Sequence, residues 1–345
     1  MVDTTMSHII FPAEWHPQSG VQITWPHSNT DWHDILDEVT SCYISFSKEI
    51  LKREKLLIVC ADENEVLRHF SSDEKRKIIT AQLNSNDTWA RDHGPISIFA
   101  NNKPTILDFG FNGWGLKFAA NHDNQITSQL FKQQRLNSNV KYSSRINFIL
   151  EGGAIESDGE GTLLTTSQCL LAPNRNQPMS QDEIEEFLTN TFGLKRVLWL
   201  NHGYLAGDDT DSHVDTLARF CSNDTIAYVS CEDVSDEHYE ELKKMEEELK
   251  VFKTINGTSY NLIPLPMADT VIYDGYRLPA TYANFLIING AVLMPTYASD
   301  KDIIAHEQLQ KAFPNHDIIG IDCRSLIKQH GSLHCVTMQL PQGLL

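Results

Sequence analysis

No two cysteines in this 345-residue chain stand in a C-x-x-C pair, and the seven present are an odd number: Cys42, Cys60, Cys169, Cys221, Cys231, Cys323 and Cys335. That excludes a disulfide framework and a cysteine-built zinc site, and it points to reduced thiols in the cytoplasm. No apolar run approaches the ~18 residues of a membrane span, so no membrane partner is expected. The opening residues, MVDTTMSHIIFPAEWHP, lack a basic stretch followed by an apolar core, and no signal peptide is read there. Positive charge is also scarce. Against 46 Asp and Glu stand only 28 Lys and Arg, a formal net charge of −18. Such a surface repels phosphate backbones, which argues against nucleic acid as a partner, and it concentrates small cations. Low-complexity linkers and composition shifts are missing too, so residues 1–345 read as a single domain.

What is present is an order of elements that recurs. One or two β-rich runs come first, then an amphipathic helix, a short hydrophobic strand, and a loop dense in polar and aromatic residues. The clearest copy runs from GTLLTT at 162 through the helix SQDEIEEFLTNTFG and the strand RVLWL to 201-NHGYLAGDDTDSHVD-215. Ser180 and Glu183 have the spacing of a capping box, and Gly193 can stop the helix. About five such units follow one another at intervals of roughly 50–70 residues. Each ends in its unusual loop, and in a ring those loops converge on one centre, as in a propeller. A doubly wound α/β sheet is the rival architecture, but hairpin-like strand pairs argue against an all-parallel sheet.

The loops carry the candidate chemistry. NDTWARDHGP brings Trp89 and Asp92, and 151-EGGAIESDGEG-161 brings Glu151. The acidic stretch 208-DDTDSHVD-215 brings Asp209, His213 and Asp215, and QHGSLHC brings His334 and Cys335. Each has a plain structural role open to it: a turn cap for Asp92, a satisfied histidine, a cysteine packed as a small hydrophobe. His213 and Asp215, two apart, share one side of an extended strand. Two carboxylates such as Asp92 and Asp215 suit a planar guanidinium through forked hydrogen bonds. A thiolate from Cys335 can attack its electron-rich carbon. A histidine can then protonate departing ammonia and deprotonate incoming water, with no metal or other cofactor required. Two other classes stay open: a magnesium- or manganese-dependent hydrolase built on the acidic stretch, and a silent binder of cationic amines.

Seven segments, FPAEWHPQSGVQITWP, NDTWARDHGP, DFGFNGWGLKF, LEGGAIESDGEGTLLTTSQCLLAPNRN, GDDTDSHVDTLARF, LPATYANF and LHCVTMQLP, resemble the agmatine deiminase family and, more broadly, the bacterial peptidylarginine deiminase-like group. The resemblance implies a pentein fold: a five-bladed α/β propeller of pseudo-fivefold ββαβ-type repeats around a central site. It implies Cys335 as nucleophile, His213 as general acid/base, and Asp92 and Asp215 as the guanidinium clamp. Trp89 and Trp114 would line the pocket, and Glu151 and Asp209 would add polar contacts toward an amine tail. The implied reaction converts agmatine and water to N-carbamoylputrescine and ammonia, toward putrescine, through an amidino-cysteine. This chain departs from the family pattern in reading Gln329-His330-Gly331-Ser332 before the His-Cys pair and Ser212 and Thr216 around His213. Free or peptidyl arginine therefore stays open as substrate, with Arg91, Arg175, Arg219 and Arg277 as possible carboxylate partners. The oligomeric state stays open as well, a homodimer included.

Overall fold

The computed structural model describes residues 8–345. Five small sheets repeat one plan: a strand pairs antiparallel with the next, which pairs parallel with a third reached through a helix. In one, Ile155–Ser157 lies against Thr162–Thr166, and Arg196–Leu200 returns parallel to it after the helix Gln181–Phe192. In the next, Ala218–Ser222, Thr225–Ser230 and Asn261–Pro266 are joined through Tyr239–Val251. The sheet of Leu286–Ile288, Ala291–Thr296 and Asp317–Asp322 uses Lys301–Ala312. That of Ile96–Ala100, Lys103–Gly110 and Lys141–Ile149 uses the short Ile126–Lys132 and gains an edge from Ile9–Ile10.

The remaining sheet takes its antiparallel strand from the far end of the chain. Thr337–Pro341 pairs with Gln18–Thr24, beside Lys55–Cys60 and Ile78–Gln82. This joins the two ends of the described chain and fixes Cys335 two residues ahead of the edge strand of that sheet. Mixed pairing excludes the all-parallel alternative, and the fold is mixed α/β.

Local chemistry explains the helices. Ser180 accepts the Glu183 amide while Glu183 reaches back to the Ser180 amide, and Gly193 closes the helix at φ 68°. Leu36–Leu51 buries Val39, Tyr43, Phe46 and Ile50, a spacing that keeps one face inward. Among the described residues no helix is long and apolar enough to cross a membrane. In all five units a loop follows the last parallel strand, at 83–95, 150–154, 201–217, 267–285 and 323–336; in the sheet closed by Thr337–Pro341 that strand is the fourth across, Ile78–Gln82.

Candidate active site

Three of those loops, 83–95, 201–217 and 323–336, build one cavity of about 160 Å³ together with Asp31, Trp114 and Phe118; Trp89, Asp92, Asp209, His213 and Cys335 stand on its wall. Asp92 lies in the short helix Ala90–His93. Its Oδ1 accepts the Gly153 amide at 3.0 Å and its Oδ2 accepts Trp114 Nε1 at 2.9 Å. Burial pushes this carboxyl up to about 6, against the pull of the His213 charge. Trp114 itself sits at φ 56° between Gly113 and Gly115, a left-handed conformation that bulky residues rarely adopt. The Asn112 side chain, accepting the Gly115 amide at 2.9 Å, holds that turn in place.

His213 and Asp215 do not alternate along a strand as their spacing suggests. His213 precedes the tight 3₁₀ turn Val214–Thr216, and both side chains converge on Gly153. A Cβ at Gly153 would lie 2.5 Å from His213 Nδ1, 3.0 Å from Asp92 Oδ1 and 3.2 Å from Asp215 Oδ2. Glycine is required there by close approach. His213 Nδ1 is 3.7 Å from Asp92 Oδ1. Burial disfavours the imidazolium, but Asp92, Cys169 and Glu151 carry it well above the usual histidine range.

Cys335 is 7% exposed, on the cavity wall. Its amide and its sulfur both face Asn284 Oδ1, at 3.3 and 3.4 Å. Burial pushes the thiol well above its ordinary value, and Asp215 and Asp92 push the same way. The resting group is a thiol.

The other expected residues are placed less uniformly. Trp89 lines the cavity, with Nε1 donating to Asp87 Oδ2 at 2.9 Å. Asp209 lines it too, its carboxyl raised to about 6 by burial and the adjacent Asp208. Asp215 is fully buried and stands just behind the wall; Oδ2 meets His334 Nδ1 at 2.7 Å while Oδ1 has no partner among the described residues. Glu151 is not on the wall at all. It is fully buried behind His213 and takes Arg175 Nε at 3.1 and 3.2 Å, so it is not placed to meet a substrate tail. Asp31 and Asp87, not singled out in the sequence, also line the wall, as does His330 from the segment that departs from the family pattern. Asp87 stands two residues before Trp89 in the same polar loop, which was the available signal.

The acidic stretch 208-DDTDSHVD-215 divides its carboxylates among separate tasks. Asp208 accepts the Thr210 hydroxyl at 2.6 Å and the Ser212 amide at 2.7 Å, and Asp211 pairs with Arg175 and Lys117. Among the described residues, the ligand-type clusters are Glu151–Cys169–His213 and Glu14–Glu156–His334. In the first Glu151 is already paired with Arg175, and in the second both glutamates are paired with Arg219. The four candidate arginines are engaged elsewhere. Arg91 donates to Gln339, Arg175 to Glu151 and Asp211, Arg219 to Glu14 and Glu156, and Arg277 to Asp236, and none lines the cavity.

The family model described as Porphyromonas-type peptidyl-arginine deiminase matches residues 10–341. The agmatine deiminase of Stutzerimonas stutzeri is 30% identical, over 96% of this chain and 95% of its own. The solved C. jejuni agmatine deiminase with substrate bound is 39% identical at TM-score 0.91, covering all of both chains. A Porphyromonas gingivalis protein described as an arginine deiminase is 54% identical at TM-score 0.95, over 98% of this chain and 100% of that one. DDAH from Pseudomonas aeruginosa, 12% identical at TM-score 0.52, shares the fold alone. The chain belongs to the Porphyromonas-type peptidyl-arginine deiminase family.

Proposed function

We propose that this protein is an agmatine deiminase. The observation that carries the substrate is the cavity's charge. Asp31, Asp87, Asp92, Asp208 and Asp209 line it against two histidines, His213 and His330, and among the described residues no lysine or arginine does. Agmatine carries a cation at each end and no carboxylate, so it suits such a wall. Arginine would bring an α-carboxylate into it without a partner, at the cost of burying an unpaired charge.

In this reading Asp92 and Asp215 hold the guanidinium, Trp89 and Trp114 flank it and the methylene chain, and Asp209 meets the distal ammonium. The Cys335 thiolate attacks the guanidinium carbon. The C–N bond to a terminal nitrogen breaks as His213 donates its proton, and ammonia leaves an amidino-cysteine. Water then attacks the same carbon, His213 takes its proton, and the C–S bond breaks to release N-carbamoylputrescine. Glu151 serves from behind His213 rather than at the substrate tail. The five sheets suit the blades of one five-bladed α/β propeller, residues 1–345 forming a single domain, because each delivers a loop after its last parallel strand. The seven free cysteines suit the cytoplasm.

A substrate screen tests the assignment. Ammonia release should favour agmatine over arginine and arginine-ended peptides by about 10³-fold or more in kcat/KM, since an unpaired buried charge is heavily penalised. The likeness to the P. gingivalis protein favours a second reading, free arginine on the same chemistry. Equal or better turnover of arginine would establish that one instead. A second prediction concerns Gly153→Ala. Its φ is not in the left-handed region, so the backbone accepts alanine, but the methyl displaces His213. Agmatine turnover should fall about 100-fold, the usual effect of an ångström-scale misplacement, with a lowered thermal midpoint from the overpacked interior. Full activity would mean that His213 is not the proton carrier.

A further inference from the structure

His334 precedes the nucleophile, is 1% exposed, and has a partner for each ring nitrogen. Nδ1 lies 2.7 Å from Asp215 Oδ2, and Nε2 lies 2.8 Å from Glu14 Oε2. Glu14 is itself fixed, accepting Arg219 Nη2 and the Ile287 amide, both at 2.7 Å. Arg219 in turn donates to the carbonyls of Phe285 and Ala283 and to Glu156. The His334 amide donates to the same Asn284 oxygen that receives the Cys335 amide, at 2.9 Å. Burial and the Arg219 and Arg91 charges push this imidazole below the usual histidine range, against the pull of Glu14 and Asp215, and the two short contacts hold the ring in place from both sides.

The consequence for Asp215 is asymmetric. Oδ2 is tied to His334, while Oδ1, in a side chain with no exposure, has no partner among the described residues. We infer that His334 is a positioning residue for the guanidinium clamp: it pins Asp215 so that Oδ1 alone receives a substrate N–H, and Glu14 anchors the ring. This rests on the deiminase reading. A purely structural ion network would stabilise the interior without selecting which carboxylate oxygen is free.

Asparagine and glutamine separate the two roles. An asparagine amide reaches about where Nδ1 stands, and a glutamine amide about where Nε2 stands. His334→Asn should therefore retain agmatine kcat/KM within about tenfold, while His334→Gln loses about 100-fold, mainly through KM, in the range typical of residues that orient a functional group. Cys335 labelling by a haloacetamidine, a guanidinium-shaped cation, should show the same order. Labelling by neutral iodoacetamide should stay near wild type in both variants, reporting an intact pocket. Equal losses in the two variants, or a parallel loss of iodoacetamide labelling, would overturn the proposal. Should neither histidine variant fold, Glu14→Gln carries the test. It should slow amidine labelling about tenfold with iodoacetamide labelling unchanged, and wild-type amidine labelling would overturn the proposal. If wild type itself releases no ammonia from agmatine, the functional reading fails, and the labelling comparison still decides the clamp.

Discussion

Cys335→Ser should lower agmatine turnover by about 10⁴- to 10⁶-fold, the scale on which loss of a covalent nucleophile is felt, while agmatine still binds. Six other cysteines compete for the role, and position rules against them. Cys42, Cys60, Cys169, Cys221 and Cys323 are buried and Cys231 is half-buried, and none of the six lines the cavity that holds His213 and Asp92. The environment of Cys335 looks adverse at first, because burial and two nearby carboxylates hold it protonated. Substrate reverses that field. A guanidinium drawn in by Asp92 and Asp215 neutralises the charges that oppose ionisation and adds a positive one. The thiolate is then formed where its target already sits. A serine hydroxyl is far harder to ionise and gains too little from the same cation. Because the acidic wall is untouched, calorimetry should find agmatine binding to the serine variant with little change. Intact mass after mixing should show an amidino adduct on wild type alone. Turnover in the variant within tenfold of wild type would remove thiol catalysis.

The parts of this site that the chain alone made legible are those with a local signature. The helix at Gln181–Phe192 followed from Ser180, Glu183 and Gly193, each acting within one turn. Cys335, His213, Asp92, Trp89 and Asp209 stand in polar loops after buried strands, Trp114 enters through the family resemblance alone, and the structure brings these six to one cavity. What stayed hidden depends on distance along the chain. Glu14 meets Arg219 and His334 across separations of 205 and 320 residues, so no window of sequence contains the pair. A signal existed in kind: Arg219 interrupts the apolar run of TLARFC, and a charge that deep needs partners. The sequence does not say which. Asp215 was placed by strand alternation, and a 3₁₀ turn brings it beside His213 instead. Glu151, before two glycines, has a tail contact only through the family resemblance, and nothing local in the sequence reveals that Arg175 occupies it.

His213→Gln should lower kcat about 10²- to 10⁴-fold, the usual contribution of a positioned acid or base, and should also change the shape of the pH profile. In wild type, kcat/KM for agmatine should rise with pH and then fall, with its maximum above about pH 7. The rise has two sources. Asp92, raised to about 6 by burial, holds the guanidinium only when ionised, so activity is lost as pH falls through that value. The thiol of Cys335, raised further, must also give up its proton, and this extends the rise through neutrality. The fall comes from His213. Asp92, Cys169 and Glu151 keep its ring protonated well above the usual histidine range despite burial, so it can still donate to departing ammonia at neutral pH. Once that proton is lost the C–N bond has no acid to break against. The limbs belong to coupled groups, so the decisive comparison is between proteins rather than against any single value. Glutamine cannot donate the proton and does not titrate, so the alkaline fall should vanish in the variant while the acid limb persists. A wild-type profile that only climbs would assign the limiting step to thiol ionisation and leave His213 without its role. An alkaline fall kept by the glutamine variant would place the acid on another residue.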